Sequence, residues 1–166
     1  MSKAENPGAA RKPRMNPVAR AAARLGAVQA LYQMDVSGAP LETVLEQVAT
    51  RRIGEAFDDG QCGKPDEALL GAIVRGVVAN QTRIDRAVNR HLSEKWKLPR
   101  LDATVRAIVR AAGFEMLFAE DTPPRVIITE YVDVARAFHD GGEEPGFVNA
   151  VLDALAREIR PEELHG

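Results

Sequence analysis

Few residues in this chain of 166 stand at the spacings that catalysis or metal binding requires. Gly63 and Lys64 adjoin as they do in a phosphate-cradling loop, but such a loop needs glycine where Asp58 stands, serine or threonine where Pro65 stands, and a preceding strand. Metal binding needs clustered ligands, whereas His91, His139 and His165 lie far apart and Cys62 has no second cysteine. The candidate nucleophiles Ser37, Ser93 and Cys62 fall in turn or cap contexts. The carboxylate pairs Asp58/Asp59 and Glu143/Glu144 sit in polar stretches, which suits solvated acids better than acid/base partners. No catalytic residue, metal site or cofactor is expected, and the chemistry to look for is binding.

The pattern best suited to binding is cationic. Lys3, Arg11, Lys12, Arg14, Arg20 and Arg24 face one acid, Glu5, before Asp35; six cations against one acid leave +5 over residues 1–34 of a chain whose net charge is −2. A local cluster of this kind gains affinity for nucleic acid by neutralising phosphates and releasing counterions. Arg20 and Arg24, four residues apart, share a helix face away from Leu25, Val28 and Tyr32, and Arg11, Lys12 and Arg14 continue it as an arm. Two plainer readings stand beside this one. Residues 1–15 have no apolar period and suit a disordered tail, and Arg20 with Arg24 suit an ordinary solvated helix surface. Aromatic content is 5%, so base contacts would fall to one or two exposed rings rather than to a stacking platform. Phe147, beside Gly146 and off the stripe of Val148, Val151, Leu152 and Leu155, is the best placed; a ring folded back into the core is the alternative.

The elements that must position these residues read as helices throughout. Asn16 and Pro17 suit the cap and first turn of a helix in which Val18, Ala22, Leu25, Val28 and Tyr32 recur with period 3.6, and Gly38 stops it. A second helix begins near Pro40 with Leu41, Val44, Leu45 and Val48 on one face, and a polar loop follows from Asp58 to Pro65. Leu69, Leu70, Ile73, Val74, Val77 and Val78 form a double stripe, which predicts a helix buried on more than one side. Asn80 or Thr82 is expected to cap the next helix, with Ile84, Val88 and Leu92 inward and Trp96 as a core anchor. Val105, Ile108, Val109, Ala112 and Met116 mark a long helix whose Gly113 points to close backbone approach. Val126, Ile127 and Ile128 alone read as strand, yet the longer period through Tyr131, Val134 and Phe138 predicts a helix opened by Pro123 and Pro124. A last helix carries Val148 to Ile159 and closes at Pro161.

About seven helices with no sustained period-2 segment give an all-α fold, either one bundle or a pair of small packed bundles. The expected organisation is an arm over 1–15 and one helical domain over 16–166, with sub-bundles near 16–80 and 81–160. At 45% hydrophobic and 28% charged, the chain can bury a sizeable core. A single cysteine excludes an intramolecular disulfide, and neither a signal-length nor a membrane-length apolar run is present, so no membrane partner and a cytoplasmic location are expected.

Five segments, taken in order, carry a family resemblance: Ala27-Val28-Gln29-Ala30-Leu31-Tyr32; Trp96 with Arg100-Leu101-Asp102; Arg106-Ala107-Ile108-Val109-Arg110; Glu130-Tyr131-Val132-Asp133-Val134-Ala135; and Phe147-Val148-Asn149 running into Val151-Leu152-Asp153. Over residues 17–160 the chain resembles the bacterial NusB transcription antitermination family. The resemblance implies an all-helical pair of small bundles and a protein without catalytic chemistry. It also implies binding to the single-stranded boxA element of ribosomal RNA leaders, together with the small-subunit ribosomal protein that acts as NusE and within the RNA polymerase antitermination complex. It implies RNA contacts at Arg20, Arg24, Phe147 and Asn149, with Arg11, Lys12 and Arg14 adding phosphate contacts from the arm, and a partner surface near Glu94, Arg100 and Asp102. The chain departs from the family pattern at Ala21 and Ala22, where adjacent arginines are usual, at Ala150 in place of glycine, and at Thr129 in place of asparagine. The alternative from a different class is a helical module similar to the N-terminal domain of ribosomal RNA cytosine methyltransferases, although no cofactor loop or catalytic cysteine motif follows Arg160.

Overall fold

The computed structural model describes residues 16–50 and 65–165; Arg11, Lys12, Arg14, Cys62, Gly63 and Lys64 lie outside them. Among the described residues there are eight α-helices, two 3-10 turns and no strand. Helix α1 (Pro17–Ser37) starts where Asn16 Oδ1 accepts from the N–H groups of Val18 and Ala19 at 3.0 and 3.1 Å, filling donors that the first turn leaves open. It ends at Gly38, whose φ of +76° suits the left-handed cap, with its N–H on Met34 O at 2.9 Å. Helices α2 (Leu41–Thr50) and α3 (Glu67–Ala79) follow, α3 capped by Asp66.

A single residue, Asn80, separates α3 from α4 (Gln81–Asn89), and its role differs from the expected one. The Asn80 side chain does not cap α4; its Nδ2 donates back to Gly76 O at 2.8 Å, because a connection this short leaves Asn80 inside the last turn of α3. Turns at Glu94–Trp96 and Leu98–Arg100 lead into α5 (Ala103–Phe118), and α6 (Pro124–Phe138) and α7 (Glu144–Ile159) complete the large helices. The stretch Val126 to Ile128 is helical, with only Ile127 fully buried. Pro161, expected to close the chain's last helix, also opens a five-residue helix, α8 (Pro161–His165), since proline is tolerated in a first helical turn.

Helices α1, α2 and α3 pack on one another, as do α4, α5, α6 and α7, and α5 touches both groups. Its buried positions from Val105 to Met116 cover about two thirds of its circumference, and Arg106, Arg110, Phe114 and Leu117 occupy the partly exposed remainder. Close approach is visible at Gly113, where a Cβ would meet Ile84 Cγ2 at 3.1 Å and Val88 Cγ2 at 3.3 Å. The expected inward stripes are wider than the packing uses. Val18, Tyr32, Val78 and Phe138 all lie 37% or more exposed, on helix edges that no neighbour covers. Trp96, expected as a core anchor, is instead 50% exposed, because it falls in a 3-10 turn on the outside of the bundle rather than on a helix stripe.

Arg160 locks the far end. Its guanidinium donates to Thr122 O at 2.9 Å, Glu120 O at 3.2 Å and both carboxylate oxygens of Glu163, so carbonyls of the connection between α5 and α6 find a partner in the residue that caps α7.

Candidate nucleic-acid interface

The exposed end of the molecule is built by three braces. Asp102 caps α5 by accepting from Thr104 N and Val105 N at 3.0 and 3.3 Å. Lys97 Nζ donates to Asn89 O and Leu92 O, and Asn89 Oδ1 accepts from Leu98 N, which fixes the turns after α4. Arg106 donates to Leu98 O and Leu101 O at 3.1 and 2.7 Å and to Asp35 Oδ2 at 2.9 Å, tying the 98–101 turn to the end of α1. A side chain on such a braced turn keeps its position without ligand, which favours binding.

On this scaffold an open groove of about 350 Å³ forms between Trp96, Arg100, Leu101 and Asp102 on one side and Glu143, Glu144 and Phe147 on the other. Phe147 meets both of its expected descriptions: one part of the ring packs on the core edge, and the other lines the groove. Asn149 and Ala150 are exposed two and three residues further along, Asn149 on the other side of α7 from Phe147. Glu94 is almost wholly exposed beside it, within 3.6 Å of Lys97. The structure therefore gathers Arg100, Asp102 and Phe147, which the sequence assigns to separate protein and RNA surfaces, into one groove. Three residues that sequence reasoning left aside also line it. Glu143 and Glu144 precede Phe147 by four and three residues, and Trp96 stood in the sequence as an expected core anchor and as part of the family resemblance. His139 lies behind the groove, 3.6 Å from Asp102 Oδ2 and 3.8 Å from Glu144 Oε2, with its buried Nε2 lacking a hydrogen-bond partner.

The expected arginine face is corrected by the packing. Arg20 remains partly exposed, 3.7 Å from Asp66 and outside the groove. Arg24 is 2% exposed and turned inward: Nε donates to Glu115 Oε2 at 2.7 Å and Nη2 to Glu115 Oε1 at 2.9 Å. Tyr131 O–H donates to the same carboxylate at 2.6 Å, and Glu130 lies 3.7 Å from Arg24. The physical reason is that α1 packs on α3, α5 and α6 together, and Arg24, four residues before the buried Val28, stands on the packed face. Burial disfavours the Arg24 charge, but the hydrogen bonds and negative charge of Glu115 outweigh it and raise the pKa. Burial, followed by the Glu115 charge, raises the Tyr131 hydroxyl well above its ordinary value, so it stays a donor. Burial also raises the Glu130 carboxyl, against the pull of Arg24. The sequence signal for this network was Glu115, a lone acid on the buried stripe beside Met116.

Among the described residues no group of three or more His, Cys, Asp or Glu side chains is placed to hold a metal ion, and no helix is long and apolar enough to cross a membrane.

Residues 12–157 match the model of the NusB family. The chain is 50% identical over 163 residues to the transcription antitermination protein NusB of Agrobacterium fabrum, covering 98% of each chain. It is 45% identical to the protein of that name from Caulobacter vibrioides, over 85% of this chain and 94% of the relative. Among solved structures, T. maritima NusB superposes with a TM-score of 0.72 at 28% identity, over 92% of this chain and all of that one. A crystal structure of the antitermination factors NusB and NusE in complex with dsRNA superposes with a TM-score of 0.71; its 22% identity, over 87% of this chain and 99% of that one, bears on fold alone.

Proposed function

The chain belongs to the NusB family, and on that footing we propose that it is a transcription antitermination adaptor that binds boxA-type RNA of ribosomal RNA operons together with the small-subunit ribosomal protein acting as NusE. It does so in the cytoplasm, as part of the RNA polymerase antitermination complex, and without chemistry of its own. The observation that carries this reading is the pairing of Trp96 and Phe147 along one open groove. Single-stranded bases gain affinity chiefly by stacking on aromatic side chains. Asp102, Glu143 and Glu144 in the same groove repel phosphate and accept hydrogen bonds from base amino groups, which favours the base edge over the backbone there. Phosphate contacts fall to Arg20 and to the arm residues Arg11, Lys12 and Arg14, with Asn149 flanking Phe147. Arg24 takes no part in contact and holds α1 in place from inside.

The ribosomal-protein partner is assigned the adjacent surface at Glu94 and Arg100, extended by the exposed Tyr32 of α1. A surface shared by two ligands makes their binding cooperative, and each must raise the other's affinity by the same factor. The test is fluorescence anisotropy of labelled boxA RNA against a scrambled RNA, with and without the ribosomal protein, at two salt concentrations. Tighter binding to boxA, strengthened by the partner, is the expected result; equal binding to both RNAs, unmoved by the partner, overturns the reading.

A further inference from the structure

Helix α4 carries a second cationic surface, formed by residues outside every segment of the family resemblance. Arg83, Arg86 and Arg90 are spaced by three and four residues, and Arg90 keeps helical geometry just beyond the helix end. At 3.6 residues per turn they fall within about 60° of arc and span about 10 Å of axis. Ile84, Ala87 and Val88 of α4 are buried in the core, whereas Arg83, Arg86 and Arg90 are all exposed to solvent. Its cations are little compensated. Asp85 is taken by Arg110, with both carboxylate oxygens accepting at 2.9 Å. Arg86 has no ion-pair or hydrogen-bond partner among the described residues. Arg83 lies over the Phe118 ring at 5.0 Å and forms no ion pair among the described residues, although Glu120 and Glu163 line the same hollow. Only Arg90 is paired, to Glu158 at 2.8 Å, with both side chains more than a third exposed; such pairs exchange readily for another anion.

From this geometry we propose that the stripe Arg83, Arg86 and Arg90 is a track for the phosphodiester backbone of single-stranded RNA, which carries the strand beyond the groove without reading its bases. The choice of RNA as the polyanion rests on the function proposed above. Charge at short intervals matches a repeating phosphate, and arginine forks bind phosphate oxygens in pairs. A protein segment would instead need an apolar or aromatic anchor at its centre; the ring in contact with the stripe, Phe118, is partly buried and lies beneath Arg83. The track is also continuous with the groove. Phe147 and Glu158 are eleven residues apart on α7, close to three turns, so they share a face about 16 Å long. At its far end Glu158 holds Arg90 and His91, and Trp96 follows His91 by five residues.

The experiment uses full-length chain and a labelled 24-nucleotide oligouridylate, which has no boxA sequence. Single-strand binding loses about 0.7 in the slope of log affinity against log salt for each phosphate contact removed. The triple variant Arg83→Gln, Arg86→Gln, Arg90→Gln is expected to lower the slope by about 2, and Arg86→Gln alone, which breaks no contact within the fold, by about 0.7. Arg136→Gln with Arg157→Gln, on exposed local pairs of α6 and α7, serves as the charge control and is expected to leave the slope unchanged. An unchanged slope in both α4 variants overturns the proposal, as does an equal fall in the control. Loss of binding to polyglutamate with RNA slopes intact would assign the stripe to an acidic protein instead, and likewise overturns it. Failure of the wild-type chain to prefer boxA over scrambled RNA sinks the proposed function but leaves the oligouridylate comparison readable.

Discussion

Arg24 of α1 and Glu115 of α5, ninety-one residues apart in sequence, form a two-pronged ion pair that is 2% and 1% exposed, and Tyr131 of α6 completes it. Removing one member leaves an uncompensated charge in the core, so Arg24→Ala or Glu115→Ala should cost about 3–5 kcal/mol in urea denaturation. Replacing both, as Arg24→Met with Glu115→Leu, should recover most of that loss. If Arg24→Ala proves as stable as wild type while RNA binding collapses, the inward reading of Arg24 is wrong.

Glu130 beside this pair predicts a pH dependence. Burial holds its pKa above the ordinary carboxylate value, so the fold favours its neutral form. The stability from that preference is complete below the ordinary carboxylate range and is lost as pH climbs through the raised pKa. Glu130→Gln removes the loss. The stability of the variant relative to wild type should therefore rise as pH climbs above the ordinary carboxylate range, read from denaturation midpoints; a flat difference would refute the assignment.

Trp96 is the chain's single tryptophan and lies half exposed in the groove. Its fluorescence should be quenched by boxA RNA with the same midpoint that anisotropy gives. Trp96→Ala should weaken binding by about 1–3 kcal/mol, the usual worth of a stacked base, and leave the thermal midpoint nearly unchanged. Phe147→Ala should lose comparable affinity but also some stability, because part of its ring packs on the core.

Arg20, partly exposed and 3.7 Å from Asp66, should behave as a phosphate contact. Arg20→Ala is expected to flatten the salt dependence of boxA binding by about 0.7 in slope without altering the ratio of boxA to scrambled affinity. A change in that ratio would mean that Arg20 reads a base.

Gly76 of α3 lies under Phe114 of α5. A Cβ there would come within 2.1 Å of Phe114 Cε1, so Gly76→Ala must push aside a ring that also stacks on Phe118 at 5.4 Å. A destabilisation of about 1–3 kcal/mol is expected, largely relieved by adding Phe114→Leu.

Sequence alone determined the helices, because their evidence is local. The cap at Asn16, the stop at Gly38, the proline pair before α6 and the 3.6 period of Val105 to Met116 each act within a turn or two of chain. The family was legible for a related reason: several short segments kept their order and spacing. What period cannot supply is the number of neighbours a helix has. Arg24 looked like a solvated face and Trp96 like a core anchor, and only the packing of α1 against three helices, and the placement of Trp96 on an outer 3-10 turn, reversed them. The groove itself is likewise a tertiary object. Trp96, Asp102 and Phe147 come from a turn, a cap and the first turn of a helix, and their meeting depends on long-range contacts that leave no mark on local spacing.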